Sequence, residues 1–595
     1  MIYPIFFSLL VPVLQIVGSD YTPTVETENG KIKGLVKHLK NGVQYHFYGI
    51  PYAEPPLGSL RFKKPRKGGK WSDTREAIRV PKSCLQPVFN MLYEDRPMSE
   101  DCLYLNILMR ENPELNKSPE KRPVMVFIHG GALQDGSGTD FPYLSDVLVD
   151  HHDIILVTLS YRLNVFGFIQ HNIYKEFVPN IGLFDQNMAI KWVKNNIAKF
   201  GGDDENITIF GQSAGAESVY SHLISPYTRG LFKRAILMSG QPLYLGNSGN
   251  LTNTLSANIL LQRHGCEKSN SKIKCLQSIP AKYILGNLTG RSDEFYLIAD
   301  DDYIPKIPIY DRDINILMGA LPQDGAYLLP PTDTRVFTKP NLSYFDGLQI
   351  LRRYFNDKAA RKLSKHYFGP PERSNNAIIK KGAIEVSSDL IFYCPTFELA
   401  NRYSSENKKA KTFAYILNRA PSTQRVSLCD LDKTIGVCHG DDLFYVFGAP
   451  FRKPYLFNDE DRKMSEKMMK IWTDFARKGF PITDDGEEWP FWKQFNYDLK
   501  SNSTDLSREP EERKLQTSPT AILDLNIRFQ SPSRIAFCIN EWAFLNDNLL
   551  PKLALTDPLP LKKQKNLDKM KSLKGFLSNQ AFYTSYLYLA FKDDK

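Results

Sequence analysis

At 595 residues the chain has room for one very large domain or three ordinary ones, and its 42% apolar and 24% charged residues are those of a globular protein with a well-buried core. The formal charge of +10 does not mark a nucleic-acid binder. The basic residues are scattered, and their densest clusters (Lys63, Lys64, Arg66, Lys67 and Lys562, Lys563, Lys565) are short and lack interleaved aromatics. Eight cysteines, an even number, agree with an oxidising compartment.

In chain order, Ile5 to Val17 is almost wholly apolar, about the length of a signal-peptide core and too short for a comfortable membrane span. Gly18 and Ser19 supply small residues for cleavage, so residues 1–19 read as a leader to a secreted chain, although no Lys or Arg precedes the apolar run. No later run is long enough to span a bilayer. Val124 to Ile128 reads as a buried strand ending in His129-Gly130-Gly131, and Ile154 to Leu159 as a second strand. Asp185 to Phe200 has helical spacing at Ile190, Val193 and Ile197 and stops at Gly201-Gly202. Ile207 to Phe210 is a short strand, followed by a glycine turn and a helix over Ala214 to Leu223; Ala235 to Met238 is another strand. Strands alternating with helices predict an α/β fold with a largely parallel sheet. No linker divides residues 20–550. Residues 551–595 are Lys-rich and read as a peripheral extension, whose apolar stretch Phe582 to Phe591 fits neither a span nor a lipid-anchor tail.

The glycine turn is Gly211-Gln212-Ser213-Ala214-Gly215. Three fixed positions make a weak motif, but this one stands where a strand feeds a helix, which would place the Ser213 hydroxyl at the carboxyl edge of the sheet. A serine hydroxyl near neutral pH needs a base and an oriented acid to become a nucleophile. It also needs N–H donors for the oxyanion of a tetrahedral intermediate. Gly130 and Gly131, closing the strand at 124–128, leave their N–H groups unshielded, and the Ala214 N–H is the third donor. Of ten histidines, His439 lies in a glycine-flanked loop, Gly436-Val-Cys-His-Gly440, and is the best base. His151, His152 and His264 read as surface or core residues. Asp324, in Gln323-Asp324-Gly325, is by residue chemistry one of many Asp-Gly turns, though the order serine, acid, histidine is the one this fold uses.

Several longer stretches carry a resemblance: Tyr48-Gly-Ile-Pro-Tyr-Ala-Glu-Pro-Pro-Leu-Gly-Ser-Leu-Arg-Phe62, Ser99-Glu-Asp-Cys-Leu-Tyr-Leu-Asn106, Val126-Phe-Ile-His-Gly-Gly131, Asn180-Ile-Gly-Leu-Phe-Asp-Gln186, Phe210-Gly-Gln-Ser-Ala-Gly215, and Trp472-Thr-Asp-Phe-Ala-Arg477 with Trp489-Pro490. Over residues 22–550 the chain resembles the type-B carboxylesterases, the family of carboxylesterases, cholinesterases and insect juvenile hormone esterases. The resemblance implies an α/β-hydrolase fold, a central mostly parallel sheet flanked by helices. It implies a catalytic triad of Ser213, Asp324 and His439 and an oxyanion hole of Gly130, Gly131 and Ala214. It further implies a small-molecule ester substrate, with no metal, cofactor, nucleic-acid partner or membrane span. The family usually carries Glu where Asp324 stands; Asp is one methylene shorter, so the backbone or His439 must move inward by about an ångström. Gln212 stands where cholinesterases have Glu and is found in juvenile hormone esterase-like enzymes.

The resemblance also implies disulfides Cys84–Cys102, Cys266–Cys275 and Cys394–Cys538. Cys429 and Cys438 are left over and form either a fourth bridge or two free thiols. Glycosylation acceptors stand at Asn206, Asn250, Asn287, Asn341 and Asn502, and a further triplet at Asn116 is followed directly by Pro119. Residues 85–101 lack the tryptophan with which cholinesterases bind choline, although Phe89 and Tyr93 offer aromatic faces. The expectation is a secreted hydrolase of apolar or xenobiotic esters. A hormone or pheromone esterase is the nearer alternative, and a cholinesterase, an adhesion protein or a sequestering protein the more distant ones.

Overall fold

The apolar runs that read as strands belong to one sheet. In the computed structural model its strands are β1 (Leu35–Leu39), β2 (Gly42–Pro51), β3 (Tyr104–Arg110), β4 (Arg122–Ile128), β5 (Ile155–Leu159), β6 (Gly202–Gln212), β7 (Arg234–Met238), β8 (Asn315–Ala320), β9 (Thr412–Leu417), β10 (Thr520–Leu523) and β11 (Arg528–Gln530). They pair in the order β11-β10-β9-β8-β7-β6-β4-β5-β3-β2-β1. From β10 through β5 every pairing is parallel; β3, β2 and β1 at one edge and β11 at the other are antiparallel. The structure describes residues 20–87, 97–111, 121–241, 247–286, 295–329, 335–425, 427–492, 519–530 and 533–539. The leader at 1–19, the extension at 551–595, Phe89, Tyr93, Asn116, Asn287 and Asn502 lie outside them.

The sheet is buried on both faces, which is why β4 is apolar without alternation. Val124, Val126 and Ile128 enter one core with Ala189, Ile190, Val193 and Val219. Met125 and Phe127 enter another with Met464, Met468, Trp472 and Phe475. The helices on the first face are α1 (Ile181–Asn196) and α2 (Ala214–Ile224). Later come α3 (Asn376–Ser388), α4 (Cys394–Glu406), α5 (Asp441–Val446) and α6 (Asp459–Lys478), the last covering the opposite face. Its ends are set locally: Asn458 and Asp461 form a capping box, and Gly479 closes it in the left-handed region at φ 88°. Among the described residues no helix is long and apolar enough to cross a membrane.

Two starting points differ most from the sequence expectation. α1 begins at Ile181 rather than Asp185, because Asn180 (φ 55°) turns the chain into it while its side chain donates to the Ile298 carbonyl at 2.8 Å and to Asp300 at 3.0 Å. β6 begins at Gly202 rather than Ile207, with a register irregularity between them. The polar run Asp203-Asp-Glu-Asn206 hides that first pairing from any apolar pattern.

Candidate active site

The turn from β6 to α2 is one residue long. Ser213 sits in it at φ 59° and ψ −129°, a conformation that costs a non-glycine residue on the order of 1–3 kcal/mol and persists only where its surroundings enforce it. Here its N–H donates to the Met238 carbonyl at 2.9 Å and its carbonyl accepts from Glu217 at 3.0 Å. The flanking glycines are required by close approach: a Cβ on Gly215 would lie 2.1 Å from the Ile128 carbonyl oxygen, and one on Gly211 would lie 2.4 Å from the Gly215 carbonyl. The turn is thereby pressed onto the end of β4.

That end of β4 leads into the glycine loop. A Cβ on Gly130 would lie 3.0 Å from the Ser213 Cβ, and Gly131 has φ 108°. Gly130 therefore lies against Ser213, Ala214 follows it as the first residue of α2, and Gly131 is turned toward Asp135. Tyr161, on the loop after β5, donates to the His129 carbonyl at 2.9 Å and stacks on the His129 ring at 4.5 Å, which fixes the start of the loop.

Asp324 and His439 are 115 residues apart and meet: His439 Nδ1 lies 2.9 Å from Asp324 Oδ1. Asp324 is fully buried, and its other oxygen accepts from the Leu321 N–H at 2.7 Å. The two loops are zipped together by Gln323, whose N–H donates to the Val437 carbonyl at 3.1 Å and whose Oε1 accepts from the Val437 N–H at 2.8 Å. From the other side, Gln212 Nε2 lies 3.1 Å from His439 Nε2, so the residue before Ser213 touches the ring nitrogen that faces away from the acid. Tyr327 stacks on the imidazole at 4.8 Å and Phe392 packs against it at 4.5 Å.

Cys429 and Cys438 are bonded to each other immediately before His439, and Cys84–Cys102, Cys266–Cys275 and Cys394–Cys538 form the remaining bridges. Asp389, Cys394 and Cys538 are the one converging set of potential metal donors among the described residues. Its sulfurs are consumed in a disulfide, and its carboxylate pairs with Arg534 at 2.7 Å. Of the acceptors, Asn341 is exposed and Asn250 half-buried. The half-buried Asn206 bonds the Arg477 carbonyl and Arg234.

Residue chemistry had not singled out Tyr161, Tyr327, Phe392 or the carboxyls packed around the base. Asp441 accepts from the Cys438 N–H at 2.8 Å and from Gln424 at 2.7 Å, and burial pushes it up to about 7. Burial, reinforced by the charges of Asp324 and Asp441, pushes Asp442 up to about 8. Glu217, one helical turn after Ser213, is pushed up to about 8 by burial. Asp441 and Asp442 follow His439 after a single glycine, and Glu217 recurs at helical spacing from Ser213; those positions were the available signal.

The stretches that carry the resemblance acquire physical roles. Arg61 donates to Glu100 at 2.7 Å, joining the first two. Asp185 takes both arms of the buried Arg162, at 2.8 and 2.6 Å. Gln186 donates to Ser218 at 3.1 Å and contacts the buried His222 at 2.9 Å, locking α1 to α2 behind Ser213.

Comparison with known proteins agrees with this architecture. The pattern of the carboxylesterase family matches residues 21–522. The chain is 30% identical over 564 residues to an acetylcholinesterase of Bungarus fasciatus, covering 89% of this chain and 86% of that one. It is 32% identical over 522 residues to an acetylcholinesterase of Leptinotarsa decemlineata (79% and 80% covered). It is 30% identical over 534 residues to acetylcholinesterase-1 of Trittame loki (84% and 92% covered). With a doubly covered, mostly parallel sheet of the α/β-hydrolase kind and a family match across most of its length, the chain belongs to the carboxylesterase family, whose members hydrolyse carboxylic esters.

Proposed function

We propose that the protein is a serine hydrolase of apolar or xenobiotic carboxylic esters that works through an acyl-enzyme on Ser213. The observations that carry this reading are the strained Ser213 turn packed against Gly130 and, one residue before Ser213, the contact of Gln212 with the His439 that is paired to Asp324. In the first step His439 Nε2 takes the Ser213 proton as Oγ attacks the ester carbonyl, while Asp324 holds Nδ1–H and stabilises the imidazolium. The Gly130, Gly131 and Ala214 N–H groups receive the oxyanion; one such donor is typically worth roughly 3 kcal/mol. Collapse expels the alcohol, which takes the proton from His439. Water then repeats the sequence on the acyl-serine and releases the acid.

Gln212 favours a second, narrower reading within the same chemistry, a juvenile hormone esterase-like enzyme. Turnover of a long isoprenoid methyl ester against a short aryl ester separates the two. Three of the relatives are named acetylcholinesterases; the absence of tryptophan from residues 85–101 weighs against choline esters as the substrate here. Four disulfides and the apolar leader support secretion, with Asn341 the best-placed glycan acceptor. The decisive experiment is steady-state hydrolysis of a graded series of aryl esters beside Ser213→Ala. Loss of at least about a thousandfold in kcat is expected, with organophosphate labelling confined to Ser213 in the parent. Undiminished hydrolysis by Ser213→Ala, or a label elsewhere, refutes the reading.

A further inference from the structure

We infer that the exposed face of the helix Asp357–Phe368 is a docking surface for a linear sulfated polysaccharide, an extracellular polyanion. From Arg352 to Arg373 stand seven basic and two acidic residues, a net charge of +5 that is half of the chain's formal +10. Spacing hides this row in the sequence, because Ala359-Ala360 and Leu363-Ser364 interrupt it and no run of cations exceeds two residues. Helix geometry reassembles it. Lys358, Arg361, Lys362, Lys365 and His366 recur three or four residues apart and are all exposed. Ala359, Ala360, Leu363, Tyr367 and Phe368 fill the other side and pack with Leu348, Leu351, Ile379 and Ala383 of the neighbouring helices.

The row is short of neutralising charge. Asp357, the one carboxylate on the helix, accepts from Arg352 Nε at 2.7 Å and from Arg361 Nε at 2.8 Å. Among the described residues Lys358 and Lys365 meet no carboxylate. Lysines elsewhere on the surface show the contrast: Lys64 pairs with Asp302, Lys67 with Glu28, Lys121 with Asp204 and Lys306 with Asp301. Lys358 with Lys362, and Arg361 with Lys365, are like charges one turn apart, which repel. The helix is held in spite of them by its apolar side and by the Asn356 cap, which accepts from the Ala359 N–H at 3.0 Å. A bound polyanion turns that repulsion into attraction.

The shape of the row selects the partner. Lys358 to Lys365 spans about 10 Å of helix axis, with exposed Arg353 before it and exposed Arg373 after it in the chain. The charges therefore stand in a line rather than around a pocket, which suits a linear polymer with sulfates at regular intervals. A bilayer suits it poorly. Peripheral binding needs apolar side chains that enter the interface, and among the described residues no large exposed apolar side chain belongs to this helix. A second copy of the chain would set cations against cations. The four disulfides favour a partner outside the cell over nucleic acid.

The test is retention of the full chain on a heparin column, with Kd for heparin measured by calorimetry over a range of NaCl concentrations. The parent is compared with Lys358→Gln/Lys362→Gln/Lys365→Gln and with a control of equal charge change, Lys63→Gln/Lys64→Gln/Lys67→Gln. The parent is expected to stay bound at about 0.15 M salt. The helix triple is expected to bind at least tenfold more weakly there, with a plot of log Kd against log[NaCl] shallower by about two to three. The control is expected to stay within about threefold of the parent. Thermal unfolding of each variant within a few degrees of the parent shows that it is folded, whatever its esterase activity. A parent that flows through at about 0.15 M salt, or equal losses in the two triples, overturns the inference. So does tighter binding at the same salt to phosphatidylserine vesicles or to an oligonucleotide than to heparin. A dimer in sedimentation that the helix triple dissociates assigns the face to a second copy of the chain and overturns it as well.

Discussion

Asp324 reaches His439 at 2.9 Å with a side chain one methylene shorter than glutamate. The backbone that carries it is held by local packing. Asp324 opens a 3₁₀ turn over Asp324–Leu328, and the next residue is pressed onto α3: the Gly325 N–H donates to Ser388 Oγ at 2.9 Å, and a Cβ on Gly325 would lie 2.4 Å from the Ser387 carbonyl carbon. Packing against α3 thus fixes the acid turn where a side chain of this length meets His439. Asp324→Asn keeps the volume and leaves an oxygen for the Leu321 N–H, but its amide can turn a donor toward Nδ1 and favour the unproductive tautomer. A fall in kcat of about 10³–10⁴ is expected, measured with Ser213 labelling as the check on folding; an Asn variant within tenfold of the parent would remove Asp324 from the triad. Residue chemistry alone singled out Ser213, Gly130, Gly131 and His439 as candidates, because each sits in a local pattern of glycines that marks a turn or a loop. It could not separate Asp324 from other Asp-Gly turns, and it was blind to the contact of Gln212 with His439, which exists only once residues 227 apart in the chain are brought together.

At the scale of elements, the loop bearing the base is held by a covalent clip. Cys429 and Cys438, both fully buried, close a short loop and lie in the same apolar cluster as Ala326 of the acid turn. Closing about ten residues restricts the unfolded chain by roughly 2–3 kcal/mol. Replacing both cysteines by alanine should therefore lower the melting temperature and, because Cys438 precedes the base, depress kcat more than it raises KM. Equal kcat with a lower melting temperature would show the clip to be purely structural. The central strands were legible because β4, β5, β7 and the second half of β6 are short apolar runs. α1 was legible only in its middle: nearly every face is buried, so no polar stripe marks where it begins. The π-helical turn Asp389–Tyr393, which carries Phe392 to the imidazole, was not legible at all. Nothing in the run Asp-Leu-Ile-Phe-Tyr distinguishes it from ordinary helix; the extra residue per turn is enforced by surroundings that hold Asp389 to Arg534 at 2.7 Å and to Tyr367 at 2.9 Å.

For the whole molecule, buried ionisable groups set how stability depends on pH, and they act in opposite directions. Burial lowers His46 and His222 to about 3 and His152 to about 4. Each binds a proton less readily folded than unfolded, so each favours the folded state above about pH 6.5 and loses that contribution as pH falls toward 3–4. Burial raises Asp441 to about 7 and Asp442 and Glu217 to about 8. These bind a proton more readily folded, so their contribution is fully present below about pH 4 and is lost as pH rises through 7–8. Between about pH 4.5 and 6.5 the two sets titrate against each other and nearly cancel. Above 6.5 the unfolded histidines are already neutral while the three folded carboxyls are still giving up protons, so stability must decline. Thermal unfolding should therefore show a plateau near pH 5–6.5 and a fall of several degrees by pH 8. Replacing Glu217 by Gln should raise the melting temperature at pH 8 and change it little at pH 5, because the amide has no proton to lose; a gain of the same size at both pH values would mean that the carboxyl is not the group responsible.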